Sequence, residues 1–117
     1  MCGIYLFFSK NSELISKLHN NLRLIQHRGQ DSYGIFYKKS GNVILTNNKG
    51  KVEEYEGNEK TNIFMGHLRY TTSGIKGEDG TQPIFTSNSF GEFCFVYNGN
   101  IPCEEYTFLY DKDLSLD

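Results

Sequence analysis

Residues 1–8 read MCGIYLFF, and that stretch decides how the rest of the chain is organised. Gly3 to Phe8 is continuous, aromatic and β-branched, the pattern of a short buried strand. A strand starting this early puts position 2 at its head. Asn11 or Ser12 then offers a helix cap, with Glu13 in the first turn, where a carboxylate meets the positive end of the dipole. Leu14, Leu18, Leu22 and Ile25 keep one face of that helix apolar out to Gln26. Gly29 ends the run, with His27 and Arg28 near the negative end.

Further out the chain is mainly sheet. Tyr33 to Lys38 is a strand candidate, and Ser40-Gly41-Asn42 supplies a turn into Val43 to Thr46. Asn62 to Tyr70 is another strand. A polar, Gly-containing loop runs from Thr71 to Gln82 and ends at Pro83. Ile84-Phe85 and Glu92 to Tyr97 read as two strands joined around Asn88 and Gly91, and Pro102 opens a short helix through Leu109. Most strand links are too short for helical crossovers, so helix combines with an antiparallel or mixed sheet. The last residues, DKDLSLD, carry no terminating character. With two helix candidates for several strands, the chain is expected to be the front part of a larger domain.

A length of 117 residues bounds the chain to one domain. Nine Phe and eight Tyr point to packed sheet and to a core that needs no disulfides. A net charge of -2, without a Lys/Arg block, argues against a nucleic-acid or membrane-surface partner. The three cysteines, Cys2, Cys94 and Cys103, form no CxxC pair and are not grouped with His19, His27 or His67. Neither a structural metal site nor a disulfide framework is expected. The start has no basic leader region and no stretch reaches transmembrane length, which fits a reducing cytoplasm.

Four clusters are rich in chemistry. Cys2 follows Met1 directly, and Met is normally removed before a residue this small. Removal frees an α-amine with a reference pKa near ~8 beside a thiol near ~8.5. One residue then holds both nucleophile and general base; the plain reading is an ordinary strand cysteine. His27-Arg28-Gly29-Gln30-Asp31-Ser32 is a dense donor and acceptor set, or simply a helix exit with an Asx-type turn. In Gly66-His67-Leu68-Arg69-Tyr70-Thr71-Thr72, strand alternation puts His67 and Arg69 on one face and Leu68 and Tyr70 on the other. Arg69 there can clamp a carboxylate bidentately, or merely decorate a solvated face. Val96-Tyr97-Asn98-Gly99-Asn100 contains Asn-Gly, a type I′ hairpin signal. Alternatively, the Asn98 amide and the Gly99 N–H aim at a developing oxyanion.

The order MCGI, QHRGQDS, GHLRYTTSG, QP, YNGN resembles the class II glutamine amidotransferases, which are N-terminal nucleophile hydrolases. Within them the HRGQDS and GHLRY forms look most like the glutaminase domain of the amidophosphoribosyltransferases. The resemblance covers Cys2 to about Asn100. It implies an α+β fold, the four-layer αββα sandwich, with residues 1–117 forming a glutaminase domain that is incomplete at its C-terminus. It implies that Cys2 is the nucleophile and its α-amine the base, that Asn98 and Gly99 form the oxyanion hole, and that Arg69 holds the glutamine α-carboxylate, with Thr72 nearby in the substrate-binding set. Arg28, Asp31 and His67 take supporting roles. No cofactor is implied. The implied partners are L-glutamine and an ammonia-accepting synthase or transferase domain absent from this chain; a homo-oligomer stays open.

Two departures stand out. The family's Asp for the substrate α-amino group lies beyond YNG, where this chain offers Asp111, Asp113 and Asp117. Asp117 follows a small polar stretch as the family's residue does, at a shorter spacing. Met1, while retained, blocks the α-amine. Two other readings compete. An N-terminal cysteine hydrolase of another amide would have no use for the carboxylate clamp that Arg69 anticipates. A truncated, non-catalytic remnant or interaction module would release no ammonia from glutamine.

Overall fold

The computed structural model describes residues 2–71 and 81–99. Among them the elements run β1 (Gly3–Leu14), α1 (Ile15–Leu24), a 3-10 turn (Gln26–Arg28), β2 (Ser32–Lys39), β3 (Asn42–Lys49), β4 (Lys60–Arg69), β5 (Ile84–Asn88) and β6 (Gly91–Phe95). The order is β1-β4-β2-β3 in a four-stranded sheet, with β5 and β6 forming a separate pair. Every pairing is antiparallel. The fold is α+β, as expected.

β1 runs further than the sequence indicates, and α1 starts later. Pairing with β4 shifts register between Phe8 and Glu13, then resumes with Glu13 opposite Thr61 and Leu14 opposite Lys60. The Asn62 side-chain amide donates to the Ser9 and Lys10 carbonyls at 2.9 Å each, fastening the irregular stretch. The Ile15 N–H donates to the Glu59 carbonyl at 2.9 Å. Ladder bonds thus occupy the backbone that Asn11 or Ser12 would have capped. The N-cap is Leu14, without a side-chain bond, and no acidic residue stands in the first helical turn.

The helix buries Ile15, Leu18 and Leu22 against Phe64 and Leu68 of β4 and Tyr33 and Ile35 of β2. A Cβ on Gly66 would lie 2.8 Å from Leu22 Cδ2, so the bare glycine lets α1 sit close to the sheet. On the opposite sheet face, Phe36 stacks on Phe85 at 6.1 Å and Met65 Sδ meets Cys94 Sγ at 3.9 Å. The β5–β6 hairpin therefore covers the middle of that face. It leaves the edge strand β1 uncovered: Leu6 is 59% and Phe8 78% exposed. β1 is accordingly a half-buried alternating strand rather than the continuously buried one expected.

Turn chemistry separates two sequence signals that look alike. Ser40 and Gly41 both take positive φ, 52° and 80°, and join β2 to β3 as a two-residue type I′ turn. Asn98-Gly99 does not follow suit, because Ser40 is the one non-glycine with positive φ among the described residues. Gly99 has φ 158°, but Asn98 before it does not have positive φ, so a type I′ turn is excluded there. The helix expected from Pro102 lies outside the described residues.

Candidate functional site

Cys2 stands just ahead of β1 and is held from three sides. Its backbone nitrogen lies 3.1 Å from Asn98 Oδ1, its carbonyl accepts from Arg28 Nη2 at 3.4 Å, and its Sγ is 3.9 Å from the Tyr70 carbonyl. Gly3, Ile4 and Ile25 complete the lining of an open pocket of about 330 Å³ around Cys2, Arg28 and Asn98. That volume falls in the range of small-molecule sites. The nitrogen, the thiol and a side-chain amide therefore meet at one accessible place.

Arg69 reaches the same end of the sheet through register. Gly3 faces Leu68 across β1 and β4, which brings Arg69 alongside Cys2. Arg69 is buried, as is Ser32 opposite it on β2. His67 pairs with Ile4 and Gly34, so it shares the Arg69 face as alternation predicts.

Asp31 ties the ends of three segments together. Its N–H donates to the Arg69 carbonyl at 3.1 Å, its carbonyl accepts from Gly50 N–H at 2.9 Å, and its carboxylate accepts the Thr71 N–H at 2.7 Å. Gln26 closes the loop before it, donating to the Gly29 carbonyl at 2.7 Å and accepting from Val52 N–H at 2.8 Å. Gly29 ends the run for a reason other than a helix cap of its own. Its backbone is extended, and a Cβ there would sit 2.7 Å from the Arg69 carbonyl carbon and oxygen. Glycine is needed at 29 because the end of β4 passes directly over it.

His67 is fully buried. Burial pushes its pKa down to about 4, opposed by the Tyr97 backbone and helped by the Arg69 guanidinium. The imidazole is therefore neutral at neutral pH and is no proton carrier there. Burial pushes the half-buried Cys94 thiol up to about 11, which keeps it protonated and unreactive.

The QP pair carries no local sequence signal for a role of Gln82. Gln82 Oε1 accepts the Tyr97 N–H at 2.7 Å, one residue before Asn98. Thr72, Asp117 and Cys103 lie outside the described residues.

Comparison with known proteins fits this geometry. An amidophosphoribosyltransferase of Methanocaldococcus jannaschii is 34% identical over 107 residues, covering 86% of this chain and 23% of its own length. One from Methanothermobacter thermautotrophicus is 34% identical over 112 residues, again 86% of this chain and 23% of its own. A third, from Pseudomonas aeruginosa, is 29% identical over 121 residues, or 97% of this chain and 24% of its own. The chain belongs with the class II glutamine amidotransferases. It spans about a quarter of the length of the curated relatives it matches. No protein-family model matches it, and no solved structure does so significantly.

Among class II glutamine amidotransferase motifs, the structure brings Cys2, Arg28 and Asn98 into one pocket, with Arg69 and Asp31 at the adjoining strand end. No helix among the described residues is long and apolar enough to cross a membrane.

Proposed function

We propose that this chain carries a glutamine-hydrolysing site of the class II amidotransferase type. The observation that carries the reading is the contact of Cys2 nitrogen with Asn98 Oδ1 at 3.1 Å, beside an open pocket. Once Met1 is removed, that nitrogen is a primary amine held next to its own thiol. The amine takes the thiol proton, and the sulfur attacks the side-chain amide carbon of glutamine. The Asn98 Nδ2 and the Gly99 N–H stabilise the oxyanion of the tetrahedral intermediate. The C–N bond breaks, the ammonium form of the amine protonates the leaving nitrogen, and ammonia departs from a thioester. Water activated by the amine then attacks the thioester, releasing glutamate and restoring the thiol.

Arg69 and Thr72 hold the substrate α-carboxylate, and a late Asp, Asp117, takes the α-amino group. Arg28 fixes the Cys2 carbonyl, and Asp31 fixes the Arg69 strand end and Thr71. The helix, the four-stranded sheet and the second strand pair fit three layers of the αββα sandwich. The ammonia passes to a synthase or transferase domain beyond this chain, and the names of the relatives point to a phosphoribosyl acceptor in a purine-biosynthesis-like setting. The test is ammonia and glutamate release from glutamine by Met1-free chain joined to its acceptor domain. Release that persists in Cys2→Ala would overturn the reading.

A further inference from the structure

Strand register sets up an unusual junction at the foot of the β5–β6 hairpin. The ladder ends with Ile84 paired to Phe95; Gln82 and Pro83 lead into that pair and Val96 and Tyr97 lead out of it. The ladder stops there, because Pro83 has no N–H to donate. The Gln82 backbone carbonyl is committed elsewhere: a Cβ on Gly34 would lie 1.8 Å from it, so it presses against bare β2 backbone. Tyr97 N–H then needs another acceptor, since a backbone donor shielded from water without one is costly. The Gln82 side-chain carbonyl is that acceptor, at 2.7 Å. Gln82 is itself 7% exposed and Pro83 is fully buried, while Ser32 and Thr81 share a hydroxyl contact at 3.3 Å just upstream. The acceptor is therefore mounted on a fixed base.

We propose that Gln82 is a positioning residue that sets the oxyanion hole: by holding Tyr97 N–H it fixes the next residue, Asn98, against the Cys2 nitrogen. Val96 to Gly99 lies outside any strand, and Asn98 is exposed. Ladder bonds do not order this segment, so its aim depends on the bond to Gln82. Gly34 belongs to the same device, since a side chain there would displace Gln82. The catalytic part of this inference rests on the glutaminase reading above.

The test uses Met1-free chain joined to its acceptor domain, with Gln82→Met, which keeps the length and removes the acceptor, and Gln82→Glu, which restores an acceptor oxygen. Tyr97 amide exchange and the Asn98 side-chain NMR signals report the geometry; steady-state kinetics with glutamine report its consequence. In Gln82→Met the Tyr97 amide should exchange faster, the Asn98 signals should shift, and kcat should fall about 10- to 100-fold with KM changed less than about twofold. Gln82→Glu should recover most of each effect, and a thermal melt confirms that each variant is folded. Unchanged Tyr97 exchange in folded Gln82→Met overturns the proposal, as does faster exchange with kcat intact. If the parent chain joined to its acceptor domain turns over no glutamine, the glutaminase reading fails, and the NMR comparison still decides whether Gln82 positions Asn98.

Discussion

Cys2 nitrogen and Asn98 Oδ1 meet at 3.1 Å although 96 positions separate them in sequence. The contact closes the described part of the molecule on itself: the head of β1 meets the segment leaving β6. It also assigns the two ends of the Asn98 amide. With Oδ1 on the nitrogen, Nδ2 remains to donate to whatever charge develops beside the thiol.

The first prediction concerns that nitrogen. While Met1 is attached it is an amide and has no basicity; after removal it is an amine. Glutaminase activity should therefore appear only in chain whose mass shows the loss of Met1, and Cys2→Ala should abolish it. Cys94→Ala should leave turnover intact, because that thiol stays protonated and packs on Met65. Full activity from Met1-bearing chain would overturn the amine as base.

Arg69 and Asn98 should fail in different ways. A carboxylate clamp grips ground state and transition state about equally, so Arg69→Ala should raise KM by one to two orders of magnitude with kcat little changed, the ~1.5–3 kcal/mol of a charge-assisted hydrogen bond. An oxyanion donor acts where charge develops, so Asn98→Ala should lower kcat about 10²- to 10³-fold. Steady-state kinetics separates the two. An unchanged KM in Arg69→Ala would remove Arg69 from the substrate site.

Gly29→Ala should damage the substrate side of the site from beneath. The added Cβ would come within 2.7 Å of the Arg69 carbonyl group, which is backbone and cannot swing aside. The expected cost is about 1–3 kcal/mol of stability, with KM for glutamine rising several-fold as the end of β4 is displaced. Chemical denaturation and kinetics on the same preparation check it. An alanine variant as stable and as tight-binding as the parent would show that this approach does not constrain Arg69.

What the sequence made legible was local or followed from strand alternation. The Ser40-Gly41 turn, the strand cores and the shared face of His67 and Arg69 needed only period-two patterning and turn chemistry. The start of α1 was misread because Asn11, Ser12 and Glu13 form a good local cap, whereas the deciding bonds come from Thr61, Lys60 and Glu59 across the sheet. Gly29 was misread for the same reason: its constraint is the backbone of Arg69, 40 positions away, rather than its own φ. Gln82 had no local signal at all. A glutamine before proline at a loop end is unremarkable until the fold brings its side chain to the Tyr97 N–H. Nothing in the chain order alone reports such a pairing.

His67 should make stability fall with acid in a defined window. Its folded pKa is depressed to about 4, mainly by burial, against an unfolded value of 6.5. Between those values the unfolded chain binds a proton that the folded chain refuses, so protons favour unfolding. The stability held with neutral His67 is complete above pH 6.5 and is lost progressively as pH falls through about 4. Its slope can approach but not exceed about 1.4 kcal/mol per pH unit for this one proton. His19, also lowered by burial and by Arg23, adds a contribution of the same sign. Denaturant unfolding of the parent and of His67→Gln from pH 8 to pH 4 separates the two, because the substitution removes only the His67 part. The variant should show a shallower decline across the window, and an identical slope in the two proteins would mean that His67 titrates normally and is not sealed from water.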